Sequence, residues 1–344
     1  MSLEVFWFVV VALFWTGYFV LEGFDFGVGV VHKAVGRTDV ERRVAINAIG
    51  PVWDGNEVWL IVAGAAIFAG FPGWYATWFS AGYLALLLVL VALIVRGVSF
   101  DWRARVDSPR WRGTWSWTLT VGSALVPMLL GVALGDLLVG LPIDSKDEFT
   151  GSFVDLLTPY GLLLGLTLLM LCLLHGATFL GLKSAGAVRT RSRALAARLV
   201  WPSLVLVVVY AGWTVSISDG GFWRVLAVTV PGVAAIGAAL LIRDGHEGRS
   251  FAATAVTIGG TVAALFANLY PDVMVSSTTT ANSLTVAGTA SGNYALKVMT
   301  VVAVVIFPVV LLYQGWSYWV FRARINTPTE IGERAPGAPD TITS

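Results

Sequence analysis

Four acidic residues stand in apolar surroundings. Glu22 and Asp25 lie near the end of the first apolar run, and Asp54 and Glu57 interrupt the start of the second. A charge at the centre of a bilayer costs from about 3 to more than 10 kcal/mol, so an ionisable residue there is a functional candidate by default. Within each pair the spacing is three, which puts both carboxyls on one helix face. Carboxyls grouped in a low dielectric can exchange protons or hold a cation. Arg96, at the end of the third apolar run, is the natural counter-charge. The densest constellation runs from Pro51 to Leu60. Pro51 suits a helix start, Gly55 permits close backbone approach, and Trp53 and Trp59 add bulk on either side of Asp54, Asn56 and Glu57. A purely structural role, with ion pairs that fix helix register, competes with the functional one.

Histidine argues against chemistry on a haem. There are three: His32 at a span end, His246 in a loop and His175 inside an apolar run. Haem iron takes His, Met, Cys or Tyr as axial ligands. One buried histidine cannot serve several haems. Met170 lies about 140° around the helix from His175, so the two cannot ligate one iron. His175 therefore reads as a satisfied core or interface histidine. The single cysteine, Cys172, excludes an intrachain disulfide.

The elements that hold these residues are membrane helices. Of the 344 residues 57% are hydrophobic and 12% charged, about half the charge of a soluble domain. The formal net charge of +1 gives no electrostatic case for nucleic acid. Nine runs are long enough to span a bilayer: 5–31, 46–70, 77–97, 114–140, 156–182, 199–217, 223–242, 251–270 and 293–321. Nineteen Lys and Arg fall on one side of this arrangement and three, Lys146, Arg224 and Lys297, on the other. The N-terminus is then outside and the C-terminus inside, with all four acids in the cytoplasmic half. The N-terminus lacks the basic region of a signal peptide. Segment 98–113 should be a polar loop and 271–292 an outward one. Residues 1–325 are expected to form the bundle, and 326–344, with three prolines, a disordered cytoplasmic tail. Leu21-Glu22-Gly23 and Leu174-His175-Gly176, with Phe26 and Phe179 following, suggest two related four-helix units plus a peripheral helix. The expected fold class is an all-α polytopic membrane bundle of about nine helices.

These residues resemble a known family. Gly23-Phe24-Asp25-Phe26-Gly27, Glu41-Arg42-Arg43, the segment Gly50–Leu60, Arg96, Phe100-Asp101 and Trp111-Arg112 are together similar to the second subunit of cytochrome bd-type quinol oxidases. The match is strong over 1–140 and later rests on the span pattern. The resemblance implies a bacterial plasma-membrane complex that oxidises quinol and reduces dioxygen to water. Its b-type and d-type haems would sit in a homologous subunit I, the partner in a heterodimer. The resemblance places a proton route from the cytoplasm at the subunit interface, with Asp25 and Asp54 at the matching positions. Glu22 and Glu57 are further candidates; Arg96, Asp101, Trp53 and Asn56 are supporting residues. It implies quinol as substrate of the complex, leaves room for a structural quinone on this chain and a small single-helix accessory subunit, and implies contact with membrane lipid. The rival from another class is a proton-coupled secondary transporter. An inert scaffold for the haem-bearing subunit is a third reading.

Overall fold

The computed structural model describes residues 1–218 and 221–326. Twelve α-helices follow in order among the described residues: α1 (Leu3–Val35), α2 (Asp39–Asn47), α3 (Trp53–Gly70), α4 (Pro72–Ala81), α5 (Tyr83–Trp102), α6 (Pro109–Val139), α7 (Pro159–Lys183), α8 (Gly186–Ile217), α9 (Phe222–Arg243), α10 (Glu247–Leu269), α11 (Val286–Thr289) and α12 (Asn293–Val320). Eight of these, α1, α5 to α10 and α12, are long and apolar enough to cross a membrane. The protein is an all-α polytopic membrane bundle.

Two expected spans take a different form. The run 46–70 divides into the end of α2, a turn and the 18-residue α3, whose polar first turn keeps its composition below that of the other spans. The run 77–97 divides at Gly82 into α4 and α5. Pro72 ends α3, because the residue before a proline is driven out of the helical region. Phe71 accordingly has φ −140° and ψ 66°. The proline then serves as the first residue of α4, where its missing N–H costs nothing. Between α5 and α6 only residues 103–108 remain outside helices, a shorter loop than expected.

α1 is the axis of the bundle and packs on α3, α6, α7 and α10. Its crossing with α7 is backbone to backbone. A Cβ on Gly27 would lie 2.8 Å from the Gly176 Cα, and one on Gly176 would lie 2.6 Å from the Gly27 Cα. Small residues permit such an approach in lipid, where close packing supplies much of the association energy. The approach seals the middle of α1, so the acids on it are fully enclosed.

α12 is the opposite case. Leu296 is its only buried residue; Phe307 packs on Phe14 and Trp59 at mid-helix, and further ties lie at the ends. Trp7 Nε1 donates to the Leu296 carbonyl at 3.2 Å and to Thr300 Oγ1 at 3.0 Å. Past the other end, Ile325 N donates to Lys183 O at 2.8 Å and Ala185 N to Ile325 O at 3.2 Å. The segment 271–292 is more ordered than a plain loop. Strands β1 (Asp272–Met274) and β2 (Leu284–Thr285) pair antiparallel there, and Asn282 Nδ2 donates to Ile143 O at 3.0 Å. Of the expected disordered tail 326–344, all but Asn326 lies outside the described residues.

Candidate functional site

The sequence candidates on α1, α3 and α5 meet at the end of the bundle where the basic loops gather. α1 contributes Glu22 and Asp25, one turn apart and both at 0% exposure. α5 contributes Arg96, also fully buried. Its Nη2 lies 2.6 Å from Glu22 Oε1 and its Nη1 3.4 Å from Glu57 Oε2 on α3. Its Nε donates to Ser123 Oγ on α6 at 3.3 Å. The guanidinium lies over three rings, Phe26 at 4.7 Å, Phe100 at 5.4 Å and Trp53 at 5.9 Å. Trp53 and Phe100 stack on each other at 4.6 Å. Gly122 lets α6 come close beside Arg96, since a Cβ there would meet the Ala92 carbonyl at 2.8 Å. Arginine suits such a place because its planar fork can face several partners at once.

The second carboxyl of α1 lies within reach of Glu22 and is also held by an amide. Asn56 Nδ2 donates to Asp25 Oδ2 at 2.7 Å and to the Leu21 carbonyl at 3.1 Å. On its other side Asn56 Oδ1 accepts from Gln314 Nε2 and Tyr318 Oη of α12, each at 2.8 Å. Asp25 Oδ1 and Glu22 Oε2 find no hydrogen-bond donor among the described residues. Three carboxyls thus face one guanidinium. The cluster has more acceptor sites than its cation and amide can fill, and protons or water must occupy the rest.

The acids divide sharply by environment. Glu57 reaches inward to Arg96, with 23% of its side chain exposed. Asp54, one turn earlier, is exposed on the outside of α3, with no hydrogen bond or ion pair among the described residues. Shared spacing did not place the two in one environment. Asp101, at the end of α5, is likewise exposed. Sequence reading missed Ser123, Gln314 and Tyr318. A Gln and a Tyr at i and i+4 in an apolar span would have been the signal. It also missed Asp136, which is 1% exposed near the other end of the bundle. Thr158 Oγ1 donates to its Oδ1 at 2.5 Å. Thr158 is the N-cap of α7, so Asp136 lies beside the positive end of a helix dipole.

The three histidines differ in how they are held. His175 is buried with both ring nitrogens engaged, Nδ1 with Thr254 Oγ1 at 2.7 Å and Nε2 with the Val20 carbonyl at 3.3 Å. Its ring stacks on Phe251 at 4.4 Å. His32 Nδ1 is bonded to the Gly29 carbonyl at 2.8 Å, while its buried Nε2 has no hydrogen-bond partner among the described residues, and His246 is the residue preceding α10. Among the described residues no group of three or more His, Cys, Asp or Glu could hold a metal ion.

Fold and site together define a multi-pass membrane protein with a buried acid–arginine cluster among its described residues. The profile of the cytochrome bd terminal oxidase subunit II family matches residues 3–321. The chain is 41% identical over 330 residues to the cytochrome bd ubiquinol oxidase subunit 2 of Bacillus subtilis (strain 168), covering 94% of this chain and 97% of that one. It is 35% identical over 361 residues to the cytochrome bd-I ubiquinol oxidase subunit 2 of Escherichia coli (strain K12), covering 94% and 95%. A solved chain of the bd oxidase from Geobacillus thermodenitrificans shares the fold, with a TM-score of 0.74 at 18% identity over 93% of this chain and 97% of that one. The chain belongs to the cytochrome bd terminal oxidase subunit II family. It is thus a membrane subunit of a respiratory quinol oxidase, a complex that contains haem and a subunit I.

Proposed function

We propose that this chain supports the haem-bearing subunit I and takes up protons from the cytoplasm for the reduction of dioxygen to water. The carrying observation is the buried group of Glu22, Asp25 and Glu57 around Arg96 and Asn56, at the end of the bundle rich in Lys and Arg. That end is assigned to the cytoplasm by the nineteen-to-three distribution of basic residues. With α3 counted as a ninth crossing, the N-terminus would then be outside and residue 326 inside. A reporter fused after Arg324 should read cytoplasmic and one inserted near Thr279 external; the opposite result at both sites would remove the cytoplasmic assignment.

In this reading Asp54 is the entry. It stands on the exposed face of α3, and Glu57 lies one turn further along the same helix. Glu57 is partly open and touches Arg96, so a proton can pass from the surface to Glu22 and Asp25 without an unpaired charge crossing apolar space. Arg96 keeps the group from accumulating negative charge, and the rings of Phe26, Phe100 and Trp53 shield it from bulk water. Asp101 and Trp53 support the entrance. Haems b and d, which supply the oxygen chemistry, belong to subunit I, as the engaged nitrogens of His175 favour. Quinol oxidation is placed there too, ubiquinol being the substrate named for the relatives. A quinone bound to this chain would be structural, and a small single-helix subunit would bind at the periphery. The two four-helix units, α1, α3, α5 and α6 in the first and α7 to α10 in the second, would be related repeats, with α12 the added helix. The bundle is proposed to end at 325, with 326–344 as a disordered cytoplasmic tail.

Asp25→Asn tests the reading. It keeps size and polarity but cannot carry a proton. The assembled complex should hold its full haem and consume oxygen about three- to tenfold more slowly with quinol, corresponding to ~0.7–1.4 kcal/mol on the barrier. Undiminished oxygen uptake per haem d would end the proton-uptake reading. The transporter alternative draws no support from the family.

A further inference from the structure

α12 exposes nearly all its length, yet two of its polar side chains, Gln314 and Tyr318, turn back into the bundle and meet the same atom. Both donate to Asn56 Oδ1 at 2.8 Å. Across the amide, Asn56 Nδ2 donates to Asp25 Oδ2 at 2.7 Å and Leu21 O at 3.1 Å. The amide is saturated, with two donors on its oxygen and two acceptors on its nitrogen. The Leu21 carbonyl can only accept, so it fixes the NH2 end towards α1. The oxygen must then face α12, where only donors satisfy it. Two donors on an amide oxygen also polarise the amide and strengthen what its N–H groups give onward. With both donors removed, a buried carbonyl oxygen is left bare. The amide could then turn over and point that oxygen at a carboxylate.

We propose that Gln314 and Tyr318 are positioning residues for proton uptake, holding the Asp25 carboxyl in its exchanging geometry through the Asn56 amide. The inference rests on the proton-uptake reading. Both residues act through Asn56, whose NH2 group makes the hydrogen bond to Asp25. The groups that share the site with Asp25 are Glu22 on α1, Glu57 on α3, Arg96 on α5 and Tyr318 itself. The tethers of α12 lie elsewhere, at Trp7 with Leu296 and Thr300, and at Ile325 with Lys183 and Ala185. Removing the polar pair therefore leaves the helix attached.

The test uses the intact complex purified with its partner, carrying Tyr318→Phe, Gln314→Met, both together, or Asp25→Asn as reference. Haem content is measured first, then quinol-driven oxygen uptake in H2O and in D2O. The single variants should keep their haem and slow turnover by about three- to fivefold, and the double variant by about tenfold. The solvent isotope effect should rise in each, because proton delivery has become limiting. A slowed double variant with an unchanged isotope effect would reduce the pair to packing and overturn the inference. So would a fully active double variant beside a slow Asp25→Asn. A fully active Asp25→Asn would instead remove the proton-uptake reading, and this inference with it. If Gln314→Met does not assemble, Tyr318→Phe decides alone, since it keeps the ring packed near Phe24 at 6.4 Å.

Discussion

Two buried polar sites face each other across the α1–α7 crossing, and they are built on opposite plans. On α1, Glu22 and Asp25 belong to a charged group with more acceptors than donors, which reaches the partly exposed Glu57. On α7, the site of His175 closes on itself. Each ring nitrogen has one partner, and Phe251 covers one ring face at an interplanar angle of 4°. Gly23 of one site even borders His175 of the other, a Cβ there lying 4.0 Å from its Cδ2. Burial is equal at the two sites. What separates them is surplus capacity and a way out. A saturated polar group specifies packing, whereas an unsaturated one connected to the surface can exchange protons.

The largest expected effect comes from removing the cation. Arg96→Met leaves Glu22 and Glu57 without their counter-charge in a low dielectric, and breaking a buried pair in this way costs about 3–5 kcal/mol. The complex should assemble poorly, with a low yield of haem-containing enzyme from the membrane. A variant recovered in normal yield with an unchanged thermal midpoint would show that the α1 site is as self-contained as the α7 site. His175→Ala comes next. It loses the Thr254 hydrogen bond and the Phe251 stack and leaves a small cavity, for a stability loss of about 2 kcal/mol. Thr254 keeps a bond to the Phe251 carbonyl at 2.9 Å, so no donor is stranded. The haem spectrum of the assembled complex should be nearly unchanged. Loss of one haem band with subunit I still present would make α7 a haem site.

Asp54→Asn isolates proton transfer from packing more cleanly than any change inside the cluster. An exposed residue without partners among the described residues should change stability by no more than about 0.5 kcal/mol. Oxygen uptake should nevertheless fall by about tenfold or more, at least ~1.4 kcal/mol on the limiting barrier, with normal haem content. Full activity would leave the buried group without this entry.

How much of this arrangement can be read from sequence depends on what each residue's burial requires. Glu22, Asp25 and Arg96 were legible because a charge inside an apolar run has few places to go, and the helix ends put them at similar depth. The inward turn of Glu57 and the outward turn of Asp54 were not. At a spacing of three the two differ by about 60° around the helix, and that arc separates the bundle interior from its surface. The role of Asn56 as a bridge was invisible because its partners on α12 lie 258 and 262 residues away in sequence. Asp136 passed unremarked because its explanation is the cap of the next helix, Thr158. The division of 46–70 falls at the turn that holds Gly50-Pro51 and that of 77–97 at Gly82, all visible, but hydropathy averaged over a window hides single residues that end a helix.

The smallest expected effect lies outside the bilayer and serves as the control for the comparison. Glu41, at the start of α2, accepts from Arg191 of α8 through Nη2 at 2.5 Å and Nη1 at 3.0 Å. It also accepts from the backbone N–H of Arg37 at 2.7 Å and of Thr38 at 3.0 Å. The pair ties the first part of the chain to the second without entering the buried cluster. The Arg191 hydrogen bond, aided by those N–H groups, holds the carboxyl well down, at about 2 against an ordinary 4.5. A carboxyl depressed by folding stabilises above its unfolded value and loses that contribution as pH falls towards the folded one. The contribution of Glu41 should therefore be constant from neutrality down to about 4.5 and fade between 4.5 and 2. The pair is partly open to solvent, with side chains 15% and 22% exposed, so its worth is about 0.5–1 kcal/mol once screening is allowed for. Glu41→Gln should lower the thermal midpoint of the complex slightly at pH 7, with the difference from the unaltered enzyme narrowing as the buffer is taken below pH 4.5. Turnover per haem should not change, because a satisfied pair at the surface has no spare acceptor to offer a proton. If Glu41→Gln instead slowed oxygen uptake and raised its solvent isotope effect, saturation would no longer separate a packing site from a conducting one, and the contrast between α1 and α7 would need a different cause.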